Sequence, residues 1–166
     1  MNNNPEYDVV VVGAGNAGLN AAIAANEGGA KVLVLEKAPE YLRGGNTYFT
    51  GGGFRFAYNG IEDLKGLMPE MSESEAAAVD VGSYPQDKFY SDIMRVTEGL
   101  SDPELLQLLV SQSYPTMKWM LSNGVTFALM YKRQAFEVDG IHKFWGGMVV
   151  ESVGAGVGLI DTLFEL

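Results

Sequence analysis

The first third of the chain alternates short apolar runs with glycine-rich turns, which predicts a strand, a helix and a second strand. Tyr7–Val12 is rich in β-branched residues and is bounded by charge and glycine, as in a buried parallel strand. Asn16–Asn26 is rich in alanine and predicts a helix that stops at Gly28-Gly29. Lys31–Glu36 predicts the second strand. These elements fit in about 30 residues, the length of a βαβ unit, so we expect a Rossmann-like α/β fold with a parallel sheet.

The pattern becomes helical after residue 60. Apolar residues at helical spacing follow Gln86 and predict a helix there. The run 102–104 (Asp-Pro-Glu) predicts the start of another helix, because it offers a capping aspartate, a first-turn proline and an early acid. Asn123-Gly124 ends this helix, and 125–136 is expected to be extended. The apolar stripe of the helix is predicted to be a core face formed by Leu105, Leu108, Leu109, Met117, Met120 and Leu121.

The last segment repeats the pattern of a glycine loop followed by a helix. Gly154–Gly158 is the loop, and Leu159–Leu166 is the predicted helix. No stop residue follows, so we expect a truncated domain whose last helix leaves an apolar face open to self-association. This face is formed by Leu159, Ile160, Leu163 and Phe164.

Composition and charge narrow the class of function. The 166 residues suit one globular domain, with 47% hydrophobic and 19% charged residues. The net charge of −10 would repel a polyanion, so no nucleic-acid partner is expected. The chain has no cysteine and one histidine, His142, so we expect no metal site. No positive charge precedes the first apolar run, which is too short for a signal peptide, and we expect a cytoplasmic protein.

The run from Gly13 to Gly18 matches the G-x-G-x-x-G motif between a predicted strand and a predicted helix. In this motif Gly13 permits a tight turn, Gly15 lets a pyrophosphate approach the backbone, and Gly18 lets helix and strand pack closely. Glu36 ends the second strand, where a carboxylate can accept hydrogen bonds from both ribose hydroxyls. The same carboxylate would repel a 2′-phosphate, which disfavours NADP. The sequence therefore predicts a dinucleotide site.

A second glycine cluster, Gly44–Gly53, distinguishes between the possible dinucleotides. It lies in a stretch with interleaved aromatic residues, which indicates an ordered loop on a ligand rather than a linker. A second backbone-rich loop suits a cofactor whose flat ring lies against backbone, and so favours FAD. An NAD-binding dehydrogenase domain is the first alternative, although it leaves this loop unexplained. The second alternative is a dinucleotide-binding module with no chemistry of its own. The absence of a convincing acid, base or nucleophile favours this module over an intact enzyme.

On these motifs the sequence resembles the fumarate reductase and succinate dehydrogenase flavoprotein superfamily. In that superfamily a G-G-N-T or S-H-T stretch, followed by A-x-G-G, wraps the FAD pyrophosphate and the flavin ring. Within it, Phe89–Val125 and Phe144–Asp161 resemble the tricarballylate dehydrogenases. The resemblance covers essentially the whole chain. It implies an FAD-dependent enzyme that dehydrogenates or reduces a C–C bond next to a carboxylate, with a tricarballylate-like substrate and an unidentified electron acceptor.

The resemblance also implies which residues contact the cofactor. The pyrophosphate would be held by Gly13, Ala14, Gly15, Ala17 and Gly18. The adenosine side would be bound by Glu36, Lys37 and Ala38. In the second loop, Asn46 and Thr47 would lie at a phosphate or the flavin edge. The residues under the ring would be Thr50, Gly51, Gly52 and Gly53. Asn46 stands where membrane-bound relatives carry the histidine linked to FAD, so the resemblance implies non-covalent FAD.

The whole chain is expected to be the N-terminal part of an FAD-binding domain. Residues 1–60 would form the dinucleotide-binding βαβ unit and the flavin loop, 61–135 a mainly helical segment, and 136–166 a glycine loop and the start of a helix. The catalytic arginine and substrate-binding histidines of the family would lie beyond residue 166, so we expect this chain alone to be inactive. The candidates within the chain are expected to be surface or structural groups, namely His142, Arg55 and Arg133.

Overall fold

The computed structural model describes residues 6–166, and these form two compact units. The first unit contains the residues up to Gly52 together with Gly154–Leu166. The second unit is Gly53–Val153. The single domain expected from the chain length is therefore divided, and the final segment returns to the unit that contains the G-x-G-x-x-G motif.

The first unit is built on the predicted βαβ arrangement. Strand β1 is Val9–Val12, helix α1 is Asn16–Glu27 and strand β2 is Val32–Leu35. The two strands pair in parallel, with Val9 opposite Val32 and Val12 opposite Leu35. This confirms the α/β fold with a parallel sheet. Two 3₁₀ helices follow β2, at Glu40–Leu42 and Gly45–Phe49.

Helix α7, Ala155–Phe164, completes the first unit. It packs against α1 and against the second of the two 3₁₀ helices. Leu159, Ile160 and Leu163 are buried, so the expectation that this apolar face stays open is wrong. The exposed apolar residues of the unit lie elsewhere, at Val12 in β1, which is 83% exposed, and at Tyr41 and Phe49 in the two 3₁₀ helices. The apolar face of α7 is buried because the chain returns to pack against α1. Residue spacing in the sequence does not show this contact.

The second unit contains two sheets of three strands. In one sheet β8 lies between β3 and β5 and is antiparallel to both. In the other β7 lies between β4, which is parallel to it, and β6, which is antiparallel. The strands of this unit are β3 (Gly53–Phe54), β4 (Val79–Asp80), β5 (Phe127–Leu129), β6 (Ala135–Val138), β7 (Ile141–Phe144) and β8 (Val150–Ser152).

The helices of the second unit are α2 (Ile61–Lys65), α3 (Glu73–Ala77), α4 (Gln86–Val96), α5 (Pro103–Ser122) and α6 (Tyr131–Gln134). The segment predicted to be extended, 125–136, is interrupted by α6 between β5 and β6.

Helix α5 begins as predicted but presents a different face to the core. Asp102 accepts hydrogen bonds from the N–H groups of Glu104 and Leu105, at 2.9 and 3.0 Å, which confirms the cap. The predicted core stripe is wrong in its first half, because Leu105, Leu108 and Leu109 are each more than half exposed. The leucines occupy much of the helix circumference, so their spacing does not indicate which side is buried. The buried positions are Leu106, Val110, Met117 and Met120.

Two buried tyrosines lie in the core of the second unit. The backbones of Tyr58 and Tyr84 exchange a pair of hydrogen bonds of 3.0 and 2.8 Å. The Tyr58 hydroxyl donates to the carbonyl oxygens of Val81, at 2.9 Å, and Gly146, at 3.3 Å. Burial raises the pKa of Tyr58 to about 12.

Among residues 6–166 no helix has the length and apolar character needed to span a bilayer.

Candidate dinucleotide site

The first glycine loop joins β1 to α1 through a turn that needs glycine for two different reasons. Gly13 has a φ of +95°, in the left-handed region, and its N–H donates to the Leu35 carbonyl at 2.7 Å. A Cβ atom on Gly18 would lie only 2.0 Å from the Gly13 carbonyl oxygen, so a side chain there would separate helix from strand. At Gly15 the nearest protein atom, the Gly44 oxygen, would be 3.6 Å away. The Gly15 backbone therefore faces the second glycine loop at ordinary van der Waals distance.

The start of α1 offers several backbone donors. Within residues 6–166, the N–H groups of Gly15, Ala17 and Gly18 have no protein acceptor. The N–H of Asn16 is bound by the Thr47 Oγ1 atom at 3.1 Å. Donors at the start of a helix, together with the helix dipole, favour an anionic group. This end of α1 is therefore suited to the charge of a pyrophosphate.

Glu36 ties the first glycine loop to the end of β2. One carboxylate oxygen accepts the Ala14 N–H at 2.8 Å, and the other accepts the Ala38 N–H at 2.8 Å. The hydrogen bonds from Ala38 and then Ala14 lower the pKa of Glu36, so its exposed carboxylate is ionised at neutral pH. The position of Glu36 in the sequence predicted a contact with a ribose. It did not show that this carboxylate holds the first glycine loop through Ala14. Lys37 is exposed beside it.

The second glycine loop lies directly against the first. Thr47 is in the 3₁₀ helix Gly45–Phe49, and its hydroxyl reaches the first turn of α1. Thr50 stabilises the end of this loop, because its hydroxyl donates to the Thr47 carbonyl at 2.9 Å and accepts the Gly52 N–H at 3.3 Å. The structure thus brings together the two clusters that the sequence suggested for one cofactor.

The remaining predicted contacts of this loop differ in their exposure. Asn46 and Gly51 are exposed, and Gly52 is buried. Gly53 is the first residue of β3 in the second unit, where a Cβ atom would lie 2.7 Å from Met130 Cε. This nearest atom is the far end of a flexible methionine side chain, so the contact alone does not require glycine at position 53.

Helix α7 contributes contacts to the second loop that the sequence did not assign. The Gly156 N–H donates to the Thr50 carbonyl at 3.0 Å. Ile160 packs against Gly44 at the other end of the loop. The glycine cluster that begins at Gly154 was the only signal of this role in the sequence.

The residues considered as catalytic candidates make structural contacts in the second unit. The half-buried His142 ring meets the edge of Tyr131, with 5.0 Å between ring centres. Arg55 donates to the Tyr84 hydroxyl at 3.3 Å. Arg133 lies exposed in α6.

Comparisons with known proteins agree on one family. The model of the FAD binding domain family matches residues 8–149. A cytochrome-type fumarate reductase of Shewanella frigidimarina is 29% identical over 160 residues, 95% of this chain and 24% of that protein. A 3-oxosteroid 1-dehydrogenase of Mycolicibacterium smegmatis is 34% identical over 117 residues, 69% of this chain and 19% of that protein.

A solved structure gives the same picture. The open conformation of a flavocytochrome c3 fumarate reductase is 27% identical and matches with a TM-score of 0.62. The match covers 96% of this chain and 24% of that chain. The chain thus spans a quarter or less of the length of these proteins.

Proposed function

The chain belongs to the FAD binding domain family and its cofactor is FAD, and from this premise we propose that its two glycine loops bind the cofactor's pyrophosphate and flavin. The observation that carries the proposal is the start of α1. There the N–H groups of Gly15, Ala17 and Gly18 point to no protein acceptor in the described chain, beside a loop held by Thr47. An NAD-binding dehydrogenase domain is excluded by the family to which the chain belongs.

The residues of the first unit fit the adenosine and pyrophosphate parts of FAD. The N–H groups of Gly15, Ala17 and Gly18 would hold the pyrophosphate. The ionised Glu36 accepts hydrogen bonds from the ribose hydroxyls, with Lys37 and Ala38 along the adenosine. Gly13 and Ala14 form the turn that keeps the donors in position.

The second loop orients the flavin end of the cofactor. Asn46 and Thr47 would bind a phosphate or the flavin edge, and the backbone from Thr50 to Gly53 would contact the ring. The hydrogen bond from the Asn16 N–H to Thr47 fixes the second loop relative to the first turn of α1. FAD, when bound, supplies the hydride acceptor or donor for the reaction.

The reaction is the reduction or dehydrogenation of a C–C bond next to a carboxylate, with tricarballylate as the leading candidate substrate. A fumarate reductase among the relatives supports a carboxylate-flanked bond. No residue of the chain is assigned to substrate binding or proton transfer, and the electron acceptor is not identified. We expect this chain to bind FAD without turnover, because it matches a quarter or less of the relatives' length.

The experiment is a titration of the purified chain with FAD and with NAD, followed by fluorescence, and an assay with tricarballylate, succinate and fumarate plus an artificial electron carrier. A Gly15→Val variant adds a bulky side chain where the first glycine loop contacts the second, and Val12→Thr on the exposed sheet face is its control. Loss of FAD binding in Gly15→Val alone is expected. Equal FAD binding by both variants would contradict the site, and turnover above that of free flavin would show a complete active site in this chain.

A further inference from the structure

Helix α7 approaches the second glycine loop so closely that one of its residues has no room for a side chain. A Cβ atom on Gly156 would lie 2.0 Å from the Thr47 carbonyl oxygen and 2.8 Å from Thr50 Oγ1. The Gly156 N–H donates to the Thr50 carbonyl at 3.0 Å. The closest atom belongs to the backbone and cannot rotate away, so any side chain at position 156 must displace the loop or the helix.

The same helix contacts the other end of the loop. Gly44 has a left-handed φ of +100°, and a Cβ atom there would lie 2.8 Å from Ile160 Cγ2. Ile160 is fully buried. Gly156 and Ile160 lie one turn apart on α7, so one face of the helix holds both Gly44 and Thr50.

Thr47 connects this contact to the first glycine loop. Its carbonyl faces Gly156, and its hydroxyl accepts the Asn16 N–H at 3.1 Å. A shift of the loop away from α7 therefore moves the residue that is bonded to the first turn of α1. The chain of contacts therefore runs from α7 through the second loop to the Asn16 N–H, which is not one of the N–H groups proposed to bind the pyrophosphate.

The contact with the second loop explains why position 156 is glycine. Glycine in a helix is about 1 kcal/mol less favourable than alanine. The Thr47 carbonyl oxygen, however, leaves no room for the Cβ atom of alanine.

We propose that α7 is a buttress for the second loop and that Gly156 is a positioning residue for the flavin end of the cofactor. This rests on the proposed function of the two loops. Gly156 sets how far the second loop lies from α1, and so how the flavin is placed relative to the pyrophosphate. The adenosine and pyrophosphate contacts of the first loop depend less on α7.

The test compares FAD with ADP, which carries the adenosine and the pyrophosphate but no flavin. Gly156→Ala is expected to weaken FAD binding by about tenfold or more and to change ADP binding far less. The visible circular dichroism of the bound flavin should also change. Val157→Ala, a half-exposed position on the same turn, is the matched control and should leave both affinities and the spectrum unchanged.

Equal losses of FAD and ADP affinity, or no loss of either, would overturn the buttress.

If the wild-type chain binds ADP but not FAD, the proposed function fails, and the buttress is tested on the ligand-free protein. There Gly156→Ala should speed hydrogen exchange of the Asn16 N–H while Val157→Ala does not, and unchanged exchange overturns it. If Gly156→Ala does not fold, Ile160→Ala removes the contact with Gly44 without adding an atom, and the same FAD-selective loss is expected.

Discussion

At the residue scale, Glu36 combines two tasks that are usually considered separately. Its carboxylate is expected to bind the ribose, and in the structure it also accepts the N–H of Ala14 in the first glycine loop. The second oxygen accepts the Ala38 N–H. Loss of the carboxylate therefore removes a ligand group and also frees the turn that positions the backbone donors.

We expect Glu36→Ala to weaken FAD binding by about tenfold while the fold survives, because the side chain is exposed and charge-assisted hydrogen bonds are lost. Fluorescence titration measures the affinity. The sign of the pH dependence follows from the lowered pKa. The carboxylate stays ionised above the ordinary value of 4.5, and binding weakens only as pH falls through the lower value of the folded protein. A pH-independent affinity in Glu36→Gln, with the decline kept in wild type, would support this assignment.

Asn46 is the residue proposed to lie at the flavin where membrane-bound relatives carry a histidine linked to FAD. Its amide is not a nucleophile, and the chain has no cysteine, so we expect FAD to be released when the protein is precipitated with acid. The measurement is flavin absorbance in the supernatant and in the pellet. Flavin that stays with the washed polypeptide would show a covalent link through another residue.

At the element scale, α5 shows how a helix can be recognised from sequence while its orientation is not. Its start at Asp102 depends on hydrogen bonds to residues two and three positions away, which the sequence predicts directly. Its buried face depends on which elements pack against it. The leucine spacing predicted that Leu105 is buried, whereas the structure buries Leu106.

We expect Leu106→Ala to lower the free energy of unfolding by about 2–4 kcal/mol, because a buried leucine leaves a cavity. Leu105→Ala, its neighbour and matched control, is 67% exposed and should cost under about 1 kcal/mol. Urea unfolding followed by circular dichroism compares the two. A larger loss for Leu105→Ala would restore the face predicted from leucine spacing.

At the scale of the whole molecule, each unit has its own core, and the second unit has a buried titratable group in its centre. The Tyr58 hydroxyl donates to two carbonyl groups and has a pKa of about 12. The neutral form is thus favoured in the folded state. Stability is retained below pH 10 and declines as pH rises from 10 towards 12, because the unfolded chain loses this proton first.

We expect Tyr58→Phe to lower the free energy of unfolding by about 1–3 kcal/mol at neutral pH, since two carbonyl groups lose a donor. Above pH 10 the stability of this variant should decline less than that of wild type. Tyr41→Phe, at a position that is 79% exposed, is the control. Urea midpoints measured at pH 8 and above pH 10 test both statements. Parallel decline of Tyr58→Phe and wild type would show that other groups cause the alkaline loss.

The sequence by itself determined the features that depend on near neighbours. The βαβ order, the turn at Gly13 and the cap at Asp102 follow from strand propensity, a left-handed φ and short-range hydrogen bonds. The choice of FAD also came from sequence, because two glycine clusters close together suit a cofactor with a flat ring.

The tertiary structure alone decided which distant residues meet. It placed Glu36 on the Ala14 N–H, Thr47 on the Asn16 N–H and α7 beneath the second loop. It also buried the face of α7 that was expected to be open. Each of these depends on contacts between segments far apart in the chain, and residue spacing holds no information about such contacts until the backbone path is known.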